Sequence, residues 1–174
     1  MALNAPDQAW QADITYIRLP TGFAYLAAVL DAYSRRCVGW QLSHCIDTNL
    51  TLTALEMALS TRRGRVEPGL VHHSDRGVQY ASCAYVERLE SVGALVSMSA
   101  KGNPYDNAKA ESFFKTLKRE EVYLKQYHTF AEAAANIGQF IEDVYNQKRL
   151  HSSLGYIPPV EFETLHYQSV ENVT

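Results

Sequence analysis

The chain has 174 residues, 47% of them hydrophobic and 20% charged, which is the composition of an ordinary globular protein with a sizeable core. It contains no run of about 18 apolar residues, and its start lacks the basic and apolar regions of a signal peptide, so we expect no membrane span and a cytoplasmic location. The net charge of −3 disfavours general binding to nucleic acid, which leaves two readings: local basic clusters contact phosphates, or another domain supplies most of the affinity.

The first third of the chain is predicted to form three strands joined by short turns. Residues 10–18 alternate in polarity, with Trp10 on one face and Asp13 on the other. Residues 23–31 are a nearly continuous apolar run, and residues 36–42 follow after a short turn. Such short connections favour an antiparallel meander.

Helices and strands alternate in the next part of the chain. Residues 48–61 and 80–92 are predicted helices, the first capped by Asp47 or its neighbour, and residues 69–73 and 94–98 are predicted short strands. This alternation calls for parallel strands with helical crossovers.

Two further helices are predicted over residues 107–122 and 130–146, the second beginning at a capping-box pattern on Thr129. After Lys148 the sequence predicts irregular structure, because the pair Pro158-Pro159 stops regular elements.

Three carboxylates each lie in a sequence context that suits a divalent-metal site. Asp13 lies in the first strand, Asp75 directly follows a buried strand, and Glu111 lies in an early turn of a helix, with 35 residues between the last two. Carboxylates are hard oxygen ligands that suit Mg²⁺ or Mn²⁺, and three of them are enough for two ions that share one acid. The sequence therefore predicts a divalent-metal site for cutting or joining nucleic acid.

The helix that carries Glu111 supports this prediction. Asn107, Lys115 and Lys118 fall on the same helical face as Glu111, so that face presents an acid and two lysines to a cleft. Lys101 lies in a preceding loop whose composition suggests that it becomes ordered on substrate. We expect Lys101, Asn107, Lys115 and Lys118 to contact DNA.

Some polar residues are given structural roles instead. His72 and His73 are predicted to be strand histidines that are hydrogen-bonded locally, the alternative being that one of them faces the site and polarises a water or contacts phosphate. Asp31 is predicted to cap a turn. The polar residues at the end of the last predicted helix are expected to pack the tail onto the core; they are Tyr145, Asn146, Arg149 and His151.

In the three acids and the stretches around them, the chain resembles the catalytic core of bacterial insertion-sequence transposases related to retroviral integrases. These proteins form the acidic-triad group of the ribonuclease-H-like superfamily. The resemblance covers nearly the whole chain. The matching stretches are Trp10 to Tyr16, Asp31 to Arg35 with Val38 to Trp40, His73 to Tyr80, Ser97 to Asn107, Glu111 to Lys118, and Tyr145 to Gly155.

The resemblance implies an α/β, ribonuclease-H-like fold with a five-stranded mixed sheet of order 3-2-1-4-5, flanked by α-helices. Residues 1–174 would form a single integrase-type catalytic core domain, with its core over about residues 8–147 and a tail over about 148–174 packed on it. Members of the family usually carry an N-terminal helix-turn-helix region. None is found before this core, so we expect a core fragment or a separately encoded piece.

The resemblance also implies an enzyme that performs DNA transposition, a transposase or integrase. Asp13, Asp75 and Glu111 match the catalytic, metal-binding acids, which would hold two Mg²⁺ or Mn²⁺ ions, and Lys118 matches a basic position that contacts DNA. Water first cuts a phosphodiester at a transposon end, and the freed 3′-hydroxyl then attacks target DNA. The expected partners are DNA and further copies of the chain, as a dimer or higher assembly, in a bacterial cytoplasm in association with the nucleoid.

Two alternatives remain open. A plain ribonuclease-H-type nuclease would cut but not join strands, so strand joining of a pre-cut end separates it from a transposase. A catalytically silent DNA-binding or oligomerisation module would have no need of three converging acids.

Overall fold

The structure is a computed structural model that describes residues 3–75, 77–98 and 108–172. These residues form a mixed sheet of five strands in the order β3-β2-β1-β4-β5, which is the order that the resemblance implied. The strands are β1 (Ala9–Leu19), β2 (Gly22–Asp31), β3 (Cys37–Ser43), β4 (Val71–Ser74) and β5 (Leu95–Met98).

Strand direction changes at the centre of the sheet. β1 pairs with β2 in antiparallel register from Trp10 opposite Asp31 to Leu19 opposite Gly22, and β2 pairs antiparallel with β3. β1 and β4 run parallel, as do β4 and β5. The parallel pairing places the carboxyl end of β4 beside the middle of β1.

The described part of the chain contains five α-helices: α1 (Thr48–Thr61), α2 (Cys83–Glu90), α3 (Ala108–Glu120), α4 (Phe130–Gln139) and α5 (Pro159–Glu171). α1 has its predicted bounds and is capped by Asp47, whose carboxylate accepts from Leu50 N. α2 begins three residues later than predicted, because the Ser82 hydroxyl accepts from Tyr85 N and fixes the first turn there. Within the described ranges, no helix is long and apolar enough to cross a membrane.

Each face of the sheet packs its own apolar core. Trp10 and Ala12 of β1 share one core with α1 and α2, whereas Ile17 and Leu19 share the other with α3 and α4. The alternation of side chains along β1 therefore directs Asp13 to the side that α3 covers.

The predicted helix over 130–146 is wrong in its last part. The α-helix ends at Gln139 and continues as a π-helical turn, Phe140–Tyr145, in which Asn146 N donates to Ile141 O at 3.0 Å. The extra residue in this turn orients the Asn146 side chain toward β3. There the Asn146 amide accepts a hydrogen bond from Cys37 N and donates one to Cys37 O. An apolar stripe alone does not distinguish these two kinds of helical turn.

The irregular tail predicted after Lys148 is also wrong from Pro158 on, because Pro159 begins α5. The first helical position suits proline, since the backbone N–H there has no partner within the helix. Glu163 of α5 accepts hydrogen bonds from Arg62 and Ser34, and this contact joins the tail to the rest of the fold.

Candidate functional site

Asp13 and Asp75 lie on neighbouring strands. Ala12 of β1 pairs with Ser74 of β4 in the parallel ladder, and the two aspartates are the next residues along. Paired strands lie about 4.8 Å apart, so the register brings the backbones of two predicted ligands together from distant parts of the sequence.

Asp75 is positioned by the turn that follows β4. Its Oδ1 accepts from Gly77 N at 2.9 Å. A Cβ at position 77 would lie 2.9 Å from Asp75 Oδ1 and 3.0 Å from Gln79 Oε1, so a side chain there would displace the carboxylate. Sequence reasoning missed this role, although an acid two residues before glycine is a recognisable turn pattern.

Tyr80 lies close to both aspartates and was also missed. Burial raises the pKa of the Tyr80 phenol well above its ordinary value, and the charges of Tyr85, Asp13 and Asp75 raise it further. Its hydroxyl is buried and has no hydrogen-bond partner among the described residues. Buried hydroxyls ordinarily have a hydrogen-bond partner, so the described residues alone do not complete the surroundings of Tyr80.

Asp13 and Glu111 line the same cavity, which has a volume of about 500 Å³. Lys115, Lys118, Arg119 and Tyr123 lie around it, and Phe114 and Ile14 contribute apolar surface. Lys118 Nζ lies 4.5 Å from the centre of the Tyr16 ring, which holds this cation beside the cavity. Tyr123, exposed in the turn after α3, was not foreseen, because an isolated surface tyrosine carries no pattern.

The amphipathic character of α3 explains how Glu111 reaches this cavity. Ala110, Phe113 and Leu117 are buried against the sheet, while Glu111 and Lys115 are exposed. The carboxylate of Glu111 lies in the first turn, where the helix dipole favours negative charge.

The three acids are not arranged as a complete set of metal ligands. Over residues 3–75, 77–98 and 108–172, no group of three or more His, Cys, Asp or Glu side chains is placed to hold a metal ion. The described cavity includes Asp13 and Glu111 but not Asp75. A metal site formed by all three acids thus stays a prediction.

The other predicted residues fall into two groups. Lys115 and Lys118 line the cavity, whereas Lys101 and Asn107 lie outside the described residues. His72 Nε2 lies 3.0 Å from the Tyr85 hydroxyl of α2, and His73 Nδ1 lies 3.0 Å from the Ser97 hydroxyl of β5, so both histidines have hydrogen-bonding partners, which lie on neighbouring elements. Burial lowers the pKa of His72 to about 4, so its imidazole is neutral at pH 7.

Curated relatives share much of this sequence. The chain is 45% identical over 160 residues to the transposase for insertion sequence element IS904 of Lactococcus lactis subsp. lactis (strain IL1403), an alignment that covers 92% of this chain and 62% of the relative. It is 41% identical over 167 residues to the transposase for insertion sequence element IS629 of Shigella sonnei, covering 96% of this chain and 55% of the relative. The chain therefore spans less than two thirds of the length of these relatives.

Solved structures show the same ribonuclease-H-like fold at low sequence identity. The HTLV-2 integrase catalytic core domain, in a trimeric complex with magnesium, is 16% identical with a TM-score of 0.67, covering 91% of this chain and 97% of that one. The catalytic core domain of BIV integrase is 16% identical with a TM-score of 0.69, covering 95% and 99%.

Family profiles agree with both comparisons. One profile described as an integrase core domain matches residues 4–104, and a second with the same description matches residues 92–159. The chain belongs to the integrase core domain family.

Proposed function

We propose that this chain is the catalytic part of an insertion-sequence transposase, which cuts a phosphodiester at a transposon end and joins the freed 3′-hydroxyl to target DNA. The observation that carries the proposal is the cavity shared by Asp13 and Glu111, with Asp75 at the end of the strand next to Asp13. The transposases named above, at 41–45% identity, support the same activity.

The donor atoms of the three acids have the chemistry that a hard divalent cation requires. Asp13, Asp75 and Glu111 supply only carboxylate oxygens, which are the ligands that Mg²⁺ and Mn²⁺ prefer, and we propose that together they hold two such ions. The buried Tyr80 hydroxyl near both aspartates supports a further polar occupant at this point. When bound, the cations would stabilise negative charge on the phosphate and lower the pKa of a water.

The remaining cavity residues would bind and orient the DNA backbone. Lys115, Lys118 and Arg119 on the rim of the cavity would offset the charge of DNA phosphates. Such a local basic cluster can bind DNA although the net charge of the chain is −3. Phe114 and Ile14 limit the access of water beside the acids, which strengthens electrostatic interactions there. Lys101 and Asn107 are proposed as further DNA contacts.

The proposed assembly follows from the reaction. Two transposon ends must be held together before joining, so we propose that residues 1–174 act as one catalytic domain within a dimer or larger complex. Because its substrate would be chromosomal DNA, we expect it at the bacterial nucleoid.

The proposal is tested by comparing nicking and joining in one assay. Supercoiled plasmid nicking and joining of a pre-cut transposon-end oligonucleotide are measured in Mn²⁺ for the wild type and for Asp13→Asn, Asp75→Asn and Glu111→Gln. Each variant should lose at least about 10³-fold in both reactions, because each removes charge that stabilises the transition state. Glu56→Gln, an exposed acid on α1, is the matched control and should keep full activity.

Full activity in all three single variants would refute the assignment of the acids. Nicking without joining in the wild type would favour the nuclease alternative over a transposase.

A further inference from the structure

A second cavity, of about 360 Å³, is lined by Lys109 in the first turn of α3. Lys109 precedes Glu111 by two positions, which places the two side chains about 200° apart around the helix. The turn after β2 contributes Arg35, the short turn before α5 contributes Ser153, and α5 contributes Phe162. None of the described residues that line this cavity is acidic.

Two cations line this cavity, and neither has an acidic partner among residues 3–75, 77–98 and 108–172. Lys109 is half-buried, and its Nζ donates to Ala32 O at 2.5 Å, which holds the ammonium group in place. The Arg35 backbone has a φ of 62°, a conformation that residues other than glycine rarely adopt. Among the described residues, neither side chain forms an ion pair with a carboxylate.

The groups that face the pair do not balance its charge. The charge of Asp31 acts on Lys109, but the Asp31 carboxylate is buried and already accepts from Asp7 N, Tyr33 N and Ser34 N. His151 is neutral near pH 7, because burial and the charges of Arg149 and Arg35 lower its pKa to about 4. Arg149 itself is paired with Glu120.

This arrangement is unfavourable unless an anion joins it. Burial lowers the pKa of Lys109, and the neighbouring charge of Arg35 lowers it further. Charges that are partly removed from water are ordinarily paired, and two like charges side by side disfavour one another. Glutamates pair with several other cations of the described residues: Arg36, Arg62, Arg88 and Arg149. Arg35 and Lys109 have no such pair among these residues and can therefore bind an external anion.

We propose that Arg35 and Lys109 form an anion site that takes a backbone phosphate of DNA. The phosphate chemistry follows from the two converging cations and the Ser153 hydroxyl, which together offer several donors to one tetrahedral anion. That the phosphate belongs to DNA rests on the proposed function. The site would hold DNA at the start of α3, on the opposite side of the helix from the cavity of Asp13 and Glu111.

Two measurements on Arg35→Gln and Lys109→Gln test the site. The first is thermal unfolding against inorganic phosphate concentration, in which phosphate should raise the Tm of the wild type and have little effect on either variant. The second is the affinity for a labelled 30-base-pair duplex against KCl concentration. Each variant should bind about fivefold to tenfold more weakly at 0.1 M salt, and the slope of log affinity against log salt should fall by about 0.9 for one lost contact.

Matched variants separate this site from a general loss of positive charge. Arg88→Gln removes one charge on α2, across the sheet from α3, and should leave both measurements unchanged. Lys109→Arg keeps the charge and should restore the response to phosphate.

An equal effect of phosphate on the wild type and both glutamine variants would overturn the site. Loss of the phosphate effect with an unchanged salt slope would overturn DNA as the source of the phosphate. If both glutamine variants fail to fold, wild-type crystals soaked in tungstate provide the test. Tungstate density is expected between Arg35 and Lys109, and its absence would overturn the proposal. None of these readouts depends on DNA cleavage, so their failure is distinguishable from failure of the proposed function.

Discussion

Two groups of acids in this protein have opposite surroundings. Asp7, Asp31 and Glu163 are buried and lie around one buried arginine, whereas Asp13 and Glu111 open onto a cavity. The first group joins the chain ends to the sheet, and the second faces a space large enough for a substrate. Burial around a shared arginine, rather than residue type, therefore separates the acids that hold the fold together from the acids that face a cavity.

Arg62 is the centre of the buried group. Its guanidinium donates to both Glu163 oxygens, and Arg62 Nε lies 3.1 Å from Asp7 Oδ1. Burial alone would raise the pKa of Glu163, but the hydrogen bonds and charge of Arg62 outweigh burial and hold that pKa below its ordinary value. Burial raises the pKa of Asp7 to about 6 in spite of the same arginine. Arg62 therefore favours ionised Glu163 more strongly than ionised Asp7.

The largest effect on stability is expected from Glu163→Gln. This change leaves Arg62 buried with only part of its compensating charge, and breaking such a pair costs about 3–5 kcal/mol. Urea unfolding at pH 7 measures the loss, while metal-dependent nicking at low temperature should be unchanged. A loss below about 1 kcal/mol would show that the buried acids do not hold the tail onto the sheet.

The second largest effect is expected from the protonation of His72, which makes the free energy of unfolding depend on pH. The unfolded chain protonates this histidine near its ordinary pKa of 6.5, and the folded chain does so only near pH 4. Between these values the unfolded state binds more protons, so stability falls as pH falls, by up to about 3 kcal/mol. The difference in unfolding free energy between wild type and His72→Gln should shrink by that amount from pH 7 to pH 4. A constant difference would contradict a neutral, buried His72.

A smaller effect, on activity rather than stability, is expected from Gly77→Ala. The added Cβ would lie 2.9 Å from Asp75 Oδ1 and move that carboxylate. Nicking should fall by about tenfold, or about 1.4 kcal/mol in the barrier. The Tm should change little, because the turn lies at an exposed strand end. Unchanged nicking would show that the position of Asp75 does not matter to the reaction.

The smallest effect is expected from Glu56→Gln. Glu56 forms an exposed pair with Arg88 on the surface between α1 and α2, and such pairs contribute about 0.2–1 kcal/mol. Urea unfolding should therefore separate it clearly from Glu163→Gln. Equal losses for the two changes would remove the distinction between buried and exposed acids.

The individual strands and the first helix were predictable because their signals are local, whereas the order of the strands in the sheet was implied by the resemblance. Alternation along residues 10–18, the apolar run at 23–31 and the cap at Asp47 each depend on neighbouring residues, and the structure confirms the resulting elements. The π-helical turn after Gln139 and the helix that begins at Pro159 were not predicted. Each depends on a tertiary contact, Asn146 with Cys37 and Glu163 with Arg62, that no local pattern reveals.

The candidate site was predictable only in part. The sequence indicated which acids to consider, and the structure brings Asp13 and Glu111 to one cavity. The roles of Gly77, Tyr80 and Tyr123 could not be foreseen, because each arises from a turn or from distant segments that pack together. Arg35 and Lys109 were missed for the same reason, since their 73 intervening residues hide that they line one cavity.

Anomalous diffraction from crystals soaked in Mn²⁺ with a bound DNA end tests the central claim most directly. We predict Mn²⁺ peaks at about 2.0–2.2 Å from carboxylate oxygens of Asp13, Asp75 and Glu111, the distances of such ligands to a small divalent cation. Crystals of Glu111→Gln should lose at least one peak. Peaks that avoid all three acids, or that persist unchanged in the variant, would contradict the account.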